Sequence, residues 1–168
     1  MYTLKTFTAV MAMMLISVFT SLENGYKVGD IATDFKLENV DGNMVSLSDY
    51  SQAKGFIVIF TCNTCPFSVA SPGDSMEAMK ARAKAKGFTF PYLMDTNQEV
   101  YPKYGAVKTP HVYVLQKTKK GNEVKYIGAI DDNYQNPESV NQAYVENAVD
   151  ALLAGKPITE THTRAIGC

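Results

Sequence analysis

The sequence predicts an α/β fold in which strands and helices alternate along the chain. Two apolar runs rich in β-branched and aromatic residues, Phe56–Phe60 and His111–Leu115, are typical of strands. The unbroken run Phe56–Phe60 further indicates a central parallel strand that is buried on both faces. Asp74–Lys86 carries apolar residues at helical spacing between an N-terminal capping pattern and Gly87. We therefore expect one sheet covered by helices.

Composition narrows the class of protein. The chain has 168 residues, of which 46% are hydrophobic and 20% charged, with a formal net charge of −1. These values are close to those of an average globular protein, which argues against disorder and fibrous repeats. Three cysteines are too few for a disulfide scaffold. A nucleic-acid partner is not expected, because no basic excess or basic stripe is present.

The N-terminus has the features of an export signal. Lys5 precedes the apolar run Ala9–Phe19, whose length falls within the roughly 7–15 residues of a signal-peptide core. The run is short for a membrane span, which needs roughly 20 apolar residues. We therefore predict a signal peptide over residues 1–21, a single domain over 22–168, and no stable membrane span after cleavage. A buried helix of the fold is the alternative. Export would make the mature protein periplasmic or secreted in a bacterium, where disulfides can form.

The first elements of the mature chain predict a β-hairpin. Asp34–Val40 and Met44–Leu47 both alternate polar and apolar residues. Asp41-Gly42 between them is a typical turn sequence. Ser48 and Asp49 are placed to cap a short helical turn.

The second half of the chain supplies the remaining elements. Phe88–Met94 is predicted to be a short edge strand because it contains a proline. A short helix is expected over Gln98–Tyr104. The strand at His111–Leu115 should pair antiparallel with Glu123–Ile130 across a glycine turn. A final helix should begin at Pro137 and carry an apolar stripe.

Cys62 and Cys65 form a C-x-x-C motif directly after the first apolar run. If a helix begins there, Cys62 lies at its N-terminus, where backbone amides and the helix dipole favour a thiolate. Cys62 would then be the attacking sulfur, and Cys65, one turn further on, would resolve the mixed disulfide. Pro66 fits this position, because the first helical turn does not need its N–H.

Other interpretations of the pair remain open. A zinc site needs two more ligands, and His111, His162 and Cys168 are all distant in sequence. Covalent haem attachment needs a histidine after the second cysteine, where this chain has Pro66. A copper-binding module that uses the pair and His111 is a separate functional class. An inert pair in a redox-dead protein is a third.

Several motifs together resemble the thioredoxin superfamily and, within it, the redoxin branch. That branch holds extracytoplasmic thiol–disulfide oxidoreductases and alkyl hydroperoxide reductase/thiol-specific antioxidant relatives. The resemblance covers Val28 to Cys168 and implies a thioredoxin-like fold, with a central mixed β-sheet flanked by helices and an N-terminal β-hairpin extension. The motifs that carry it are Cys62-x-x-Cys65, Thr109-Pro110, Val28–Leu37, Asp41-Gly42, Leu47–Asp49, Gly128–Asn133, Ala151–Pro157 and Gly167-Cys168.

The resemblance also implies a site and a function. Cys62, Cys65, Thr109 and Pro110 would be the catalytic residues, with Pro110 as a cis-proline facing the disulfide. Thr109 would offer its backbone to an extended segment of substrate. The implied substrates are protein thiols and disulfides, recycled by a redox partner protein, and no cofactor is implied.

The chain departs from the family pattern after the cysteine pair. Only a short segment separates Cys62 from the break at Ser71-Pro72-Gly73. Judged against usual element lengths, we expect that roughly 30 residues are absent between Ala70 and Ser71. If so, Phe88–Met94 would have to supply the missing sheet partner.

Further departures concern single residues. A peroxiredoxin-like peroxidase, the remaining alternative, would have threonine three residues before its cysteine, where this chain has Ile59. The buried acid of thioredoxins is replaced by Phe56, and Asp95 is one carboxylate that could serve instead. Cys168 is a tail thiol, an intermolecular partner or a second resolving cysteine.

Overall fold

A computed structural model describes residues 25–63 and 72–168. The predicted signal peptide, Cys65 with the helix expected there, and the boundary between Ala70 and Ser71 lie outside the described residues. Within the described ranges, no helix is both long and apolar enough to cross a membrane.

Seven strands form two sheets in the described part of the chain, together with three α-helices, which confirms the α/β prediction. One sheet has the order β1-β7-β6-β4 and the other β3-β2-β5. The strands are β1 (Ile31–Ala32), β2 (Lys36–Asn39), β3 (Met44–Ser46), β4 (Gly55–Phe60), β5 (Leu93–Met94), β6 (His111–Thr118) and β7 (Gly121–Gly128). The helices are α1 (Met76–Lys86), α2 (Val100–Tyr104) and α3 (Tyr144–Leu153).

The N-terminal hairpin forms as predicted. Strands β2 and β3 pair antiparallel, and Gly42 takes a positive φ of 86° in the turn between them. A one-turn 3-10 helix follows at Leu47–Asp49. Asp34 ties this turn to the start of β2, because its carboxylate accepts the backbone N–H groups of Leu47 at 2.8 Å and Ser48 at 3.3 Å.

The position of β4 differs from the prediction. Among the described residues β4 pairs only with β6, so it is an edge strand, and every strand pair of both sheets is antiparallel rather than mixed. Ile57 and Ile59 are 50% and 47% exposed. The apolar run correctly indicated a strand, but residue types alone do not show which neighbours cover each face.

The Phe88–Met94 segment contributes less than expected. Only β5 is a strand, and it pairs with β2 of the hairpin instead of with β4. The Asn39 side chain fixes this pairing by accepting the Tyr92 N–H at 2.8 Å. The idea that this segment replaces a partner of β4 is therefore wrong.

The helix boundaries follow their caps. The Ser75 hydroxyl accepts the Ala78 N–H at 3.2 Å at the start of α1, and Gly87 ends the helix in the left-handed conformation. Pro137 begins a separate 3-10 helix, Pro137–Ser139, rather than α3. Val140 is extended and interrupts the helical path, so α3 begins at Tyr144.

Two apolar clusters cover opposite faces of the four-stranded sheet, since neighbouring residues such as Tyr113 and Val114 belong to different clusters. The larger cluster surrounds Tyr104, whose ring makes edge contacts with neighbouring rings. The smaller cluster packs Ala148 of α3 against Val114 and Tyr126. The buried members of the larger cluster are Ala32, Leu47, Val100, Tyr104, Tyr113, Leu115, Val124 and Ile127.

Candidate functional site

The antiparallel register of β4 and β6 brings Cys62 and Thr109 together. Phe60, the last residue of β4, lies opposite His111, the first residue of β6. Cys62 is two residues beyond Phe60 and Thr109 is two residues before His111, so the two continue the same register. The Cys62 Sγ atom lies 3.2 Å from the Thr109 Oγ1 atom, and Cys62 is half-buried.

The peptide bond between Thr109 and Pro110 is cis, which agrees with what the family resemblance implied. Both residues are half-buried at the entrance to β6. The Thr109 backbone is paired with the C-terminal segment: its N–H donates to the Cys168 carbonyl at 3.1 Å, and its carbonyl accepts the Cys168 N–H at 3.2 Å. Of the four predicted catalytic residues, Cys62, Thr109 and Pro110 are adjacent, and Cys65 is outside the described residues.

Asn63, the residue after Cys62, makes a set of hydrogen bonds that the sequence does not predict. The Asn63 N–H donates to the Asp74 carboxylate at 2.6 Å, and the Asn63 side-chain amide donates to the Gly73 carbonyl at 3.0 Å. The Tyr92 hydroxyl donates to the Asn63 side-chain oxygen. These contacts join segments that are distant along the chain, and no local sequence pattern indicates them.

Burial and nearby charges change the pKa of Tyr92. Its pKa is raised above the usual tyrosine value, first because the phenol is partly buried. The positive charge of Arg82 opposes this shift, whereas the negative charge of Asp74 adds to it. Tyr92 therefore remains a neutral hydrogen-bond donor to Asn63 at physiological pH.

His111 lines a cleft that does not include Cys62. It is 7% exposed and lines a cleft of about 530 Å³ together with His162 and Tyr113, and Cys62 is not among the residues that line this cleft. Its Nδ1 atom has no hydrogen-bond partner in the described part of the chain. Burial, and secondarily the charge of His162, lower the pKa of His111. His111 is thus a neutral imidazole at neutral pH.

The described residues contain no group of three or more His, Cys, Asp or Glu side chains that could hold a metal ion. Asp95, the carboxylate considered as a substitute for the buried acid, accepts the N–H groups of Glu99, Val100 and Tyr101 at 2.9–3.0 Å. Its hydrogen bonds therefore hold the start of α2. Phe56, in the usual position of that acid, packs against the larger apolar cluster.

Similar solved structures include two bacterial proteins. A hypothetical protein from Sinorhizobium meliloti 1021 is 30% identical, with a TM-score of 0.75, over 86% of this chain and 93% of that chain. An uncharacterized conserved protein from Geobacillus kaustophilus is 33% identical, with a TM-score of 0.73, over 86% of this chain and 92% of that chain. No protein-family model and no curated protein matches the chain.

Proposed function

The chain belongs to the same family as the hypothetical Sinorhizobium meliloti protein and the uncharacterized Geobacillus kaustophilus protein, and we propose that it is an extracytoplasmic thiol–disulfide oxidoreductase with a thioredoxin-like fold. The observation that carries this proposal is the contact between the Cys62 sulfur and the Thr109 hydroxyl at 3.2 Å. It puts the first cysteine of a C-x-x-C motif directly beside a residue that precedes a cis-proline.

The proposed reaction is dithiol–disulfide exchange. The Cys62 thiolate attacks one sulfur of a substrate disulfide, so that a Cys62–substrate bond forms and the second substrate sulfur leaves as a thiolate. Cys65 then attacks the Cys62 sulfur, releases the remaining substrate sulfur and completes the Cys62–Cys65 disulfide. The substrate gains two electrons and the motif loses two. A redox partner protein returns the motif to its starting state, and no cofactor is needed.

The residues around Cys62 assist the proposed reaction. The Thr109 hydroxyl is within hydrogen-bond distance of the Cys62 sulfur, and a hydrogen bond to a charged acceptor is stronger than one to a neutral acceptor. The half-buried setting of the sulfur strengthens this interaction relative to open water. Tyr92, Asn63 and Asp74 fix the loop that carries the sulfur through the hydrogen bonds described above.

The compartment follows from the predicted signal peptide. Export delivers the protein to an oxidising environment, where its substrates would be the cysteines of other exported proteins. A fusion of the full chain to a reporter that is active only outside the cytoplasm checks this part of the proposal, and reporter activity that stays cytoplasmic would contradict it.

Single cysteine variants test the reaction. We expect Cys62→Ser to abolish the reduction of a model protein disulfide, because the attacking sulfur is lost. Cys65→Ser should instead accumulate a mixed disulfide with that substrate, visible as a mass increase that disappears on reduction. Thr61→Ser, in the same loop but without a change of sulfur, is the matched control and should react like the unaltered protein.

The direction of electron flow is a separate measurement. A glutathione titration of the motif gives its reduction potential, where about −120 mV indicates an oxidant of proteins and about −270 mV a reductant. Full activity of Cys62→Ser, or a motif that does not cycle at any potential, would contradict the proposed function.

A further inference from the structure

The C-terminal segment pairs with the backbone of Thr109 as one β-strand pairs with another. The N–H and the carbonyl of Thr109 are each hydrogen-bonded to the opposite group of Cys168, at 3.1 and 3.2 Å. Reciprocal bonds of this kind join two extended segments in an antiparallel ladder. The last two residues of the sequence therefore lie where an extended substrate segment would pair.

Gly167 allows this close approach. A Cβ atom at position 167 would overlap the Thr109 carbonyl oxygen, and would lie 2.7 Å from its carbon and 3.3 Å from the Pro110 Cδ atom. Any other residue would push the segment off the site unless the backbone moved. The pairing of Cys168 with Thr109 thus depends on a glycine beside it.

The same segment is anchored further back along β7. Ile127 donates its N–H to the Thr161 carbonyl at 3.1 Å, and its carbonyl accepts the Thr163 N–H at 3.0 Å. The Thr163 hydroxyl also contacts the Tyr126 hydroxyl at 2.6 Å and accepts the Ala129 N–H at 3.0 Å. These contacts hold the segment in a fixed path that ends at Thr109.

Cys168 is disulfide-bonded in the structure, and the residue is exposed. Cys62 and Cys168 share Thr109 as a neighbour, the former through the side chain and the latter through the backbone. A third cysteine is therefore held in the place of a substrate, on the residue that also contacts Cys62.

We propose that Cys168 is a third redox cysteine, which serves as an intramolecular substrate of the Cys62–Cys65 pair. This inference rests on the proposed function. In the oxidised chain the Cys168 thiolate attacks one sulfur of the Cys62–Cys65 disulfide. That bond breaks, a bond to Cys168 forms, and the displaced sulfur leaves as a thiolate that takes up a proton from water. One disulfide is present before and after, so no external oxidant is required.

Disulfide mapping of the full chain tests the proposal. The protein is equilibrated in a glutathione buffer that leaves one disulfide per chain, quenched with acid, alkylated and digested for mass spectrometry. We expect a disulfide from Cys168 to Cys62 or Cys65 in at least about a tenth of the chains, alongside Cys62–Cys65. Complete alkylation of Cys168, or a Cys168 bond found only between two chains, would overturn the proposal.

Gly167→Val supplies a variant with all three cysteines. It should lower the fraction of intramolecular Cys168 disulfide at least fivefold and leave Cys62–Cys65 in its place, because the side chain displaces the segment from Thr109. Gly155→Val is the matched control, since Gly155 also has a positive φ but a Cβ there meets no atom within 4 Å. It should keep the Cys168 disulfide. An equal fraction in both variants would show that the pairing with Thr109 does not position Cys168.

Cys168→Ser separates this proposal from the proposed function. If Cys168→Ser cycles between dithiol and disulfide while the full chain shows no Cys168 disulfide, only the third-cysteine proposal fails. If Cys168→Ser does not cycle, the function of the pair fails, and the third-cysteine proposal with it.

Discussion

Thr109 uses its side chain and its backbone for two different partners. The hydroxyl contacts the Cys62 sulfur, while the N–H and carbonyl pair with Cys168. A change confined to the side chain should therefore alter the reactivity of Cys62 and leave the C-terminal segment in place.

Replacement of Thr109 by valine tests the role of the hydroxyl. We expect Thr109→Val to slow the alkylation of Cys62 by iodoacetamide about fivefold, because a hydrogen bond worth about 1 kcal/mol to the sulfur is lost. The rate is measured with Cys65 and Cys168 both changed to serine, so that one thiol reacts. Thr61→Val is the control, since the Thr61 hydroxyl donates to the Cys62 carbonyl at 3.4 Å and not to its sulfur. Equal rates in the two variants would exclude an effect of Thr109 on the sulfur.

The hairpin and the 3-10 helix after it are joined by one carboxylate. Partial burial acts to raise the pKa of Asp34, but the hydrogen bonds from Ser48, Leu47 and Phe35 together outweigh it and hold the pKa below its usual range. A lowered pKa in the folded state means that the ionised group stabilises the fold. This contribution is present above the unfolded pKa and is lost as the pH falls through the folded pKa.

Asp34→Asn should therefore destabilise the protein by about 1 kcal/mol at pH 7, because it removes the charge from hydrogen bonds to the 3-10 helix. The difference between the variant and the unaltered protein should shrink as the pH falls below about 4. Urea unfolding at several pH values measures both effects. Asp41→Asn, whose carboxylate accepts only the nearby Asn43 N–H among backbone groups outside its own residue, should cost less. A penalty for Asp34→Asn that does not change with pH would contradict the role of the charge.

The two apolar clusters differ in the hydrogen bonding of a buried tyrosine hydroxyl. Tyr104 in the larger cluster has a buried hydroxyl without a hydrogen-bond partner in the described part of the chain. Tyr126 in the smaller cluster donates to the Ala129 carbonyl at 2.6 Å and contacts the Thr163 hydroxyl at the same distance. Burial raises the pKa of both phenols, that of Tyr126 to about 12. Both hydroxyls are therefore protonated at neutral pH.

The same substitution should consequently have opposite effects on the two faces of the sheet. Tyr104→Phe removes an unsatisfied polar group, so we expect the free energy of unfolding to stay equal or rise by up to about 1 kcal/mol. Tyr126→Phe breaks one buried and one partly buried hydrogen bond and should lower the free energy of unfolding by about 1–3 kcal/mol. Urea unfolding of both variants gives the comparison. Equal losses in the two would contradict the difference between the clusters.

The parts of the fold that sequence predicts are those that depend on nearby residues. Alternation around Asp41-Gly42 predicts the hairpin, and Ser75 with Gly87 bounds α1, because turns and caps are local. The edge position of β4 among the described strands does not follow from its apolar run, because residue types do not show which neighbours a strand has. The polar contacts of Tyr92 were missed for the same reason.

The candidate site likewise contains residues that a local motif predicts and residues that it does not. The C-x-x-C motif by itself indicates Cys62 as a candidate site residue. Thr109 and Pro110 are indicated only by the resemblance of the chain to a family. The pairing of Cys168 with Thr109 has no local signature, because it joins residues that lie far apart along the chain.

The anchored C-terminal segment sets a length requirement. Residues 164–167 alone separate Thr163, held on β7, from Cys168, held on Thr109. A chain advances by at most about 3.3–3.6 Å per residue, which limits the distance that this stretch can bridge. Adding or removing one residue would shift Cys168 relative to Thr109. The spacing between Thr163 and Cys168, and not only the presence of a cysteine, is therefore a property by which relatives of this protein can be sorted.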